Sequence, residues 1–234
     1  MTGAEDARTP RERYRAQVRA EVKKHAWEQI ATAGASALSL NAIAKQMGMS
    51  GPALYRYFAS RDDLITELVR DAYRSLADTF RATAGSAQTG GAGDTGETGV
   101  DVTALAHALR GWALDDPQRY FLVYGTPVPG YHAPDDITAI AAEIMATLLD
   151  ACAALPSPGP ATRFAAHLED HRQWARDHPA PSATLHRALT FWTRLHGVLS
   201  LELAGHFTGM GFDPALLFAA ELDDLRRPHD EPTE

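Results

Sequence analysis

The chain of 234 residues lacks three features that would place it outside the cytoplasm. It contains a single cysteine, Cys152, so no disulfide can form within it. No run of apolar residues approaches the roughly 20 that a membrane-spanning helix needs. The first residues are polar and do not contain the apolar centre of a secretion signal. We therefore expect a cytoplasmic protein with no membrane partner.

Signatures of common enzyme families and of β-structure are also missing. We find no nucleophile elbow, no phosphate-binding loop and no dinucleotide fingerprint, and the glycine-rich stretch Gly90–Gly99 has no flanking strand. No segment alternates between apolar and polar residues as a half-buried strand does. Apolar residues recur instead at helical spacing between breaks rich in proline and glycine. The sequence therefore predicts an all-α fold without a catalytic centre or a cofactor.

One pair of histidines needs weighing as a metal site. His167 and His171 are four residues apart and share a helical face, as two zinc ligands do. A zinc-protease motif would place Glu directly after the first histidine, where this chain has Leu168, and no cysteine cluster lies nearby. We expect no metal, but the alternative of a small helical metal-binding protein or enzyme that uses His167 and His171 stays open.

Charge is distributed unevenly along the chain. The net charge is −8, yet residues 1–60 hold nine Lys and Arg against five Asp and Glu, a balance of +4 that leaves −12 for the rest. A basic head attracts phosphates, whereas an acidic body is held away from them. This distribution favours nucleic-acid binding by residues 1–60, although helical proteins also scatter their charge unevenly by chance.

Residues 39–61 carry the most informative pattern, two short helices around a tight turn. Ser39 can cap the first helix, and Gly48 can end it because glycine tolerates a left-handed backbone. Ser50 can cap the second helix, in which Pro52 lies early, where its missing N–H costs nothing. A helix–turn–helix of this kind places its second helix in the major groove of DNA.

These residues resemble the N-terminal domain of tetracycline-repressor-type (TetR) transcriptional regulators. The likeness extends over residues 11–81 and depends on a small apolar pair, a glycine, a serine, an aromatic run and a basic residue. Tyr57 departs from the pattern, since the family often has His there, but its hydroxyl can still donate to a phosphate. The matching elements are Ile43-Ala44, Gly48, Ser50, Leu54-Tyr55-Arg56-Tyr57-Phe58 and Arg61.

The resemblance implies which residues contact DNA. Phosphate contacts fix the register on the duplex, whereas base contacts read its sequence. Arg56 would reach guanine and Asn41 adenine, although Arg56 can also be a plain surface charge. Leu54 and Phe58 are expected in the core. The implied phosphate contacts are Ser39, Tyr55, Tyr57 and Arg61, with Lys45 either on phosphate or solvated, and the candidates for base edges are Asn41, Ser50, Gly51, Pro52, Ala53 and Arg56.

The chain divides into a short head and a long helical body. The body contains prolines and glycines that separate its helices, and the stretch after the fourth helix has no apolar anchor. The expected segments are a disordered tail over 1–10, a helix–turn–helix domain over 11–60, a regulatory and dimerisation domain over 61–227, and a tail over 228–234. Within the body we expect a fourth helix to about Ala84, a flexible loop over 85–99, a helix over 162–178 and a long helix from Ser182 to about Phe207.

The C-terminal half resembles the branch of the family with a WHG-type regulatory domain, through Trp112, Pro117, Tyr120, residues 125–127 and the Trp192…His196-Gly197 run. Helix bundles often enclose an apolar pocket with a few polar groups, and the aromatic residues of the body are candidates for its lining. Aromatic residues at helical spacing are also commonly core, and that alternative stays open. The ligand-binding candidates are Trp112, Tyr120, Phe121, Tyr124, His132, Phe164, Trp174, Trp192 and His196.

Two apolar stripes near the C-terminus predict contact with a second copy of the chain. The first stripe recurs at alternating spacings of four and three, which gives a narrow seam suited to a partner helix; its members are Leu185, Leu189, Trp192, His196, Leu199 and Leu203. In the family, the two final long helices of each subunit build a four-helix bundle across a two-fold axis. The alternative is that both stripes complete the subunit core. The interface candidates are Leu185, Leu189, Leu199, Leu203, Leu216 and Leu217.

Taken together, the sequence predicts a sequence-specific transcriptional regulator that binds double-stranded DNA. The favoured hypothesis is a homodimeric repressor that a small apolar or aromatic effector releases from a palindromic operator. A non-specific architectural DNA protein is a further alternative, and the sequence does not separate a repressor from an activator.

Overall fold

The computed structural model describes residues 9–89, 100–156, 162–176 and 178–227, with the backbone alone for 87–89. These residues form ten α-helices and two short 3-10 turns and contain no strand, which confirms the predicted all-α fold. No helix of the described ranges is both long and apolar enough to cross a bilayer. The helices are α1 Pro10–Ala33, α2 Leu40–Gln46, α3 Gly51–Leu54, α4 Arg61–Thr89, α5 Val102–Asp115, α6 Pro117–Tyr124, α7 Asp135–Ala153, α8 Arg163–Asp170, α9 Ser182–Leu203 and α10 Pro214–Arg226; the turns are Ala35–Ala37 and Gln173–Ala175.

Helix α1 begins inside the segment predicted as a tail. The Thr9 hydroxyl accepts from the Glu12 N–H at 3.3 Å, and the Glu12 carboxylate accepts from the Thr9 N–H at 2.8 Å. This reciprocal capping box, with Pro10 at the first helical position, starts the helix one residue before the expected start at Arg11. The rest of that predicted tail, residues 1–8, and the C-terminal tail 228–234 lie outside the described residues.

Helix α4 is longer than expected. It continues to Thr89, so residues 85–89, predicted as the start of a flexible loop, are helical. A single glycine in a helix interior costs only about 1 kcal/mol relative to alanine, which is too little for Gly85 to end the helix by itself. The Ser86 hydroxyl also donates to the Thr83 carbonyl at 2.8 Å. The remainder of the predicted loop, residues 90–99, is outside the described ranges.

The single helix predicted over 162–178 is wrong. Helix α8 ends at Asp170 and is followed by the turn Gln173–Ala175. The Arg172 guanidinium donates to the His178 and Ala180 carbonyls at 2.8 and 2.9 Å, and these bonds fold the chain back where a straight helix would continue. Arg176 adopts φ +51°, a left-handed backbone that a continuing right-handed helix excludes.

Helix α9 also ends earlier than predicted, at Leu203 and not near Phe207. Gly205 and Gly209 adopt φ values of +76° and +83°, which are accessible to glycine and turn the chain out of the helix. Ser182 is the first residue inside α9, so it does not cap the helix as expected. Asp213 does cap α10, because its carboxylate accepts from the Ala215 N–H at 2.9 Å.

The chain separates into two compact units. The head unit comprises the described residues up to 72 together with 118–134, and the body unit comprises 73–117 and 135–227. The boundary predicted from the sequence lies at 60/61, so residues 61–72 and 118–134 group differently from that prediction. The head core includes Val22, Ile43, Leu54, Phe58, Leu68 and Tyr120. In the body, α9 packs against α7, α8 and α10, and the core includes Phe80, Leu105, Leu109, Leu148, Leu185 and Leu195.

Candidate nucleic-acid interface

The first helix of the motif is anchored at its start from two directions. The Ser39 hydroxyl accepts from the Ala42 N–H at 3.3 Å, which confirms the predicted cap. The Ser39 N–H itself donates to the Gln29 side-chain oxygen at 3.0 Å. Gln29 belongs to α1 and was not identified from the sequence, because its contact joins residues ten positions apart without any pattern. Ser39 is thereby held half-buried at the amino end of α2.

The turn between α2 and α3 is built as predicted around Gly48, which adopts φ +66°. The Met49 N–H donates to the Ala44 carbonyl at 2.8 Å and satisfies the end of α2. Ser50 occupies the N-cap position of α3, but its side chain makes no capping bond, so that part of the prediction is wrong. Its exposed hydroxyl lies at the start of α3.

Helix α3 is only one turn long, and further turn bonds continue it. The Tyr55 N–H donates to the Gly51 carbonyl at 3.1 Å, and the Tyr57 N–H donates to the Leu54 carbonyl at 2.8 Å. Leu54 and Phe58 are fully buried, as expected of core residues. The opposite side of this segment is accessible: Pro52, Tyr55 and Arg56 are exposed, and Gly51, Ala53 and Tyr57 are half-buried.

Asn41 and Gly51 are brought together by the fold. A Cβ atom added to Gly51 would lie 3.3 Å from the Asn41 side-chain oxygen, so the Asn41 amide packs against the bare backbone at the start of α3. The exposed Asn41 side chain therefore belongs to the same surface as α3. Lys45 is exposed in the last turn of α2, as its predicted contact with solvent or phosphate requires.

Arg61, the first residue of α4, has two polar contacts within the head unit. Its guanidinium contacts the Asp62 carboxylate at 3.2 Å and donates to the Ser36 carbonyl at 3.4 Å. An adjacent carboxylate reduces the positive potential that Arg61 offers to a phosphate. The helix start is capped as predicted by Ser60, whose hydroxyl accepts from the Asp63 N–H at 3.0 Å.

Two arginines of α1 reach the far end of α3. The Arg15 guanidinium donates to the Arg56 carbonyl at 3.4 Å, and the Arg19 guanidinium donates to the Tyr57 carbonyl at 2.5 Å. Neither arginine was identified from the sequence as part of the motif. The available signal was their spacing, because residues four apart lie on the same face of a helix.

The predicted ligand-binding residues are divided between the two units. Tyr120, Phe121, Tyr124 and His132 belong to the head unit, where Tyr120 packs against the rings of Phe121 and Tyr124. His132 is exposed and not enclosed. The others, Trp112, Phe164, Trp174, Trp192 and His196, belong to the body unit.

Within the body unit these five residues have different surroundings. Trp112 is buried, and its indole N–H donates to the Ser75 hydroxyl at 3.1 Å. Trp192 packs on His196 with ring centroids 4.3 Å apart, and burial lowers the pKa of His196 to about 4, so this imidazole is neutral at physiological pH. Trp174 is half-buried. Phe164 is 46% exposed, so the body unit does not enclose its side chain.

The predicted interface leucines do not share one environment. Leu185 and Leu199 are fully buried inside the body unit, so the alternative of a subunit core holds for them and their side chains are not available to a partner. Leu189, Leu203 and Leu217 are half-buried. Leu216 is 70% exposed, and Leu201 on α9, which the sequence pattern did not single out, is 44% exposed.

The histidine pair has a structural arrangement of its own. The His167 and His171 rings stack with centroids 4.0 Å apart, and the His171 Nδ1 lies 2.9 Å from the His167 carbonyl oxygen. That contact occupies one ring nitrogen of His171, which is the C-cap residue of α8. Across the described ranges, no group of three or more His, Cys, Asp or Glu side chains is placed to hold a metal ion.

Two family models match this chain. One, described as bacterial regulatory proteins of the tetR family, matches residues 24–68. The other, described as a tetracyclin repressor-like C-terminal domain, matches residues 102–225. Between them they cover the helix–turn–helix and most of the body unit.

Curated relatives and solved structures are similar over most of the chain. HTH-type transcriptional regulator Rv1816 of Mycobacterium tuberculosis and HTH-type transcriptional regulator Mb1846 of Mycobacterium bovis are each 36% identical over 222 residues, or 88% of this chain and 90% of the relative. The crystal structure of protein SCO4313 is 72% identical with a TM-score of 0.82, covering 93% of this chain and 98% of that one. A protein of unknown function from Rhodococcus sp. RHA1, 18% identical with a TM-score of 0.60 over 89% of this chain and 93% of its own, shares the fold.

Proposed function

Because the chain belongs to the tetracycline-repressor (TetR) family of transcriptional regulators, we propose that it is a homodimeric repressor that a small-molecule effector releases from a palindromic operator. Residues 11–60 would bind DNA, and residues 61–227 would dimerise and bind the effector. The proposal rests on the exposed surface that α2 and α3 form, and on the buried side chains of Leu54 and Phe58 that hold α3 from the inside.

This surface exposes the kinds of residues that a DNA-recognition helix uses. Leu54 and Phe58 fix α3 from the inside, while Pro52, Tyr55 and Arg56 face solvent. In the proposed complex, Arg56 and Asn41 read base edges in the major groove, and Tyr55 and Tyr57 donate to phosphates. The positive charge of residues 1–60 attracts the duplex irrespective of sequence.

The proposed dimer uses the outer faces of α9 and α10. Leu216 and Leu201 expose large apolar side chains there, and Gly197 presents open space above its Cα atom. A second copy that packs on these faces would remove this apolar surface from water, which is favourable. A two-fold dimer then presents two recognition helices to successive major grooves, about 34 Å apart.

The proposed effector is an uncharged apolar or aromatic molecule held in the body. Trp192 and the neutral imidazole of His196 are half-buried residues of α9 and offer a ring face and a polar group. A burial environment that disfavours the imidazolium also disfavours a bare ionic ligand beside it. An effector that prefers the non-binding state by ~1–3 kcal/mol would lower the affinity for DNA five- to 150-fold.

Selection of bound fragments from random DNA tests the proposed function. We expect a palindromic consensus, bound by a factor of about 10³ or more over random duplexes. Equal affinity for all duplexes would identify a non-specific architectural protein and refute the proposal. Arg56→Ala should relax the consensus at one position of each half-site, whereas Tyr55→Phe should weaken binding to every sequence.

Sedimentation at micromolar concentration tests the dimer. Leu216→Asp places a charge on the proposed interface and should produce a monomer with weak operator binding. Leu114→Asp is the matched control, because Leu114 is 43% exposed in the same unit but lies on α5. If both variants remain dimeric, or if the parent protein is a monomer, the proposed interface is wrong.

A further inference from the structure

Arg19 makes three contacts that converge on the carboxyl end of α3. Its guanidinium donates to the Tyr57 carbonyl at 2.5 Å, lies 3.1 Å from the Glu67 carboxylate and stacks over the Phe58 ring with its carbon 4.2 Å from the centroid. The three partners come from the turn after α3 and from α4. Arg19 therefore joins three elements of the head unit at one point.

A helix as short as α3 needs such support. An isolated turn of helix is unfavourable in water, because fixing its backbone costs more free energy than its few hydrogen bonds return. The last carbonyls of a helix also lack partners within it. A planar guanidinium suits this position, since it can donate to a carbonyl and a carboxylate while its face stacks on an aromatic ring.

The contacts of Arg19 separate it from the neighbouring basic residues Arg15 and Lys23 of α1. Its side chain is 28% exposed and Glu67 is 25% exposed, so solvent screens their attraction less than it screens an open surface pair. Arg15, one turn earlier, is exposed and reaches the Arg56 carbonyl only at 3.4 Å. Lys23, one turn later, pairs with Asp71 at 2.6 Å and ties α1 to α4 without touching α3.

We propose that Arg19 is a positioning residue for DNA recognition, one that fixes the carboxyl end of α3 so that Tyr55, Arg56 and Tyr57 keep the orientation that DNA requires. The proposal rests on the proposed function of α3 as the reading helix. Arg19 itself contacts no DNA.

The test compares Arg19→Met and Arg19→Lys with the parent protein in operator titrations at several salt concentrations. Arg19→Met keeps most of the side-chain volume but loses the fork and the charge, and should weaken operator binding about tenfold or more, as expected on loss of charged hydrogen bonds. Arg19→Lys should restore little of the lost operator affinity, because an ammonium cannot donate to the carbonyl, pair with the carboxylate and stack on the ring at the same time. The slope of log affinity against log salt should stay unchanged, since no phosphate contact is lost.

Hydrogen–deuterium exchange supplies a second measurement that does not depend on DNA. Amides of residues 50–58 should exchange faster in Arg19→Met than in the parent, while those of the body unit stay unchanged. Val18→Ala is the matched control, because Val18 is the adjacent buried residue of α1 and does not share these contacts. It should lower stability without accelerating exchange at 50–58 selectively and without relaxing the operator preference.

Three results would overturn the proposal. A salt slope reduced by about 0.9 for each lost contact would make Arg19 a phosphate contact. Equal losses of operator preference in Val18→Ala and Arg19→Met would show that Arg19 contributes only to the general stability of the head unit. Unchanged exchange at 50–58 would show that Arg19 does not hold the segment. If the parent protein shows no operator preference, the proposed function fails, and the exchange result still decides whether Arg19 positions α3.

Discussion

The short helices α2 and α3 of the head unit and the long helices of the body unit are oriented by different contacts. In the head, side chains bond to backbone groups at helix ends, as Ser39 does at the start of α2 and Arg19 does after α3. In the body, long helices bury apolar stripes and are joined by side-chain pairs such as Arg110–Glu202, at 2.8 Å. The contrast shows that a short helix gains its fixed orientation from contacts at its ends, whereas a long helix gains it from packing along its length.

Removing the buried ring of Phe58, which holds α3, should have the largest effect among the changes that test this contrast. Phe58 is fully buried, and a Phe→Ala change in a core costs ~3–5 kcal/mol. Phe58→Ala should lower the free energy of unfolding by that amount in urea titrations and abolish operator binding. Phe80→Ala, the matched change in the body unit, should lower the free energy of unfolding by a similar amount. The molecules that remain folded should still bind the operator. Equal loss of binding in both variants would refute the contrast.

Breaking the ion pair of the body should have the next largest effect. The side chains of Arg110 and Glu202 are only 12% and 15% exposed, and removing one partner of a buried pair costs about 3 kcal/mol. Arg110→Met should lower stability by that amount in thermal unfolding. Arg74→Met is the control, because the Arg74–Glu143 pair is about half exposed and contributes below ~1 kcal/mol. Similar losses in the two variants would contradict the prediction.

The stability of the body unit should depend on pH through His196. Burial lowers its pKa from 6.5 to about 4, so between these values the unfolded chain binds more protons than the folded one. This contribution to stability is complete above pH 6.5 and is lost as the pH falls toward 4, with a slope of up to ~1.4 kcal/mol per pH unit.

Urea titrations across this pH range measure the slope. His196→Gln should remove its part of the pH dependence, whereas His132→Gln, at an exposed residue of the head unit, should retain it. A slope that survives unchanged in His196→Gln would assign the effect to other groups.

The smallest change tests the contact between α2 and α3. Gly51→Ala would bring a Cβ within 3.3 Å of the Asn41 oxygen, and the flexible amide must then move by a few tenths of an ångström. Stability should change by less than ~1 kcal/mol, since alanine is the better helix former. Operator affinity should fall a few-fold, chiefly at the base that Asn41 reads. Binding identical to that of the parent at every operator position would exclude Asn41 as a base contact.

Local signals predicted the head well. The cap at Ser39, the stop at Gly48 and the buried pair Leu54 and Phe58 each depend on a residue and its immediate neighbours, so the sequence contains what is needed. The role of Arg19 could not be predicted in the same way, because its carbonyl partner lies 38 residues further along the chain.

The body was predicted less well because its helix ends and faces are set by distant contacts. The break after α8 depends on Arg172, whose bonds to the His178 and Ala180 carbonyls have no periodic signature. The leucine stripe of α9 has the spacing of a partner-binding seam, yet Leu185 and Leu199 are fully covered by the unit itself. Apolar periodicity locates the buried face of a helix but does not distinguish burial within a subunit from burial between subunits.

The surroundings of Cys152 have a practical consequence. Its side chain is fully buried, and burial raises the pKa of its thiol to about 12, so the nucleophilic thiolate is scarce under physiological conditions. Maleimide reagents should therefore leave the native protein unlabelled. A cysteine introduced on the open side of α3 would accept one fluorophore per chain, and its emission would follow operator capture and release in real time without a cysteine-free background.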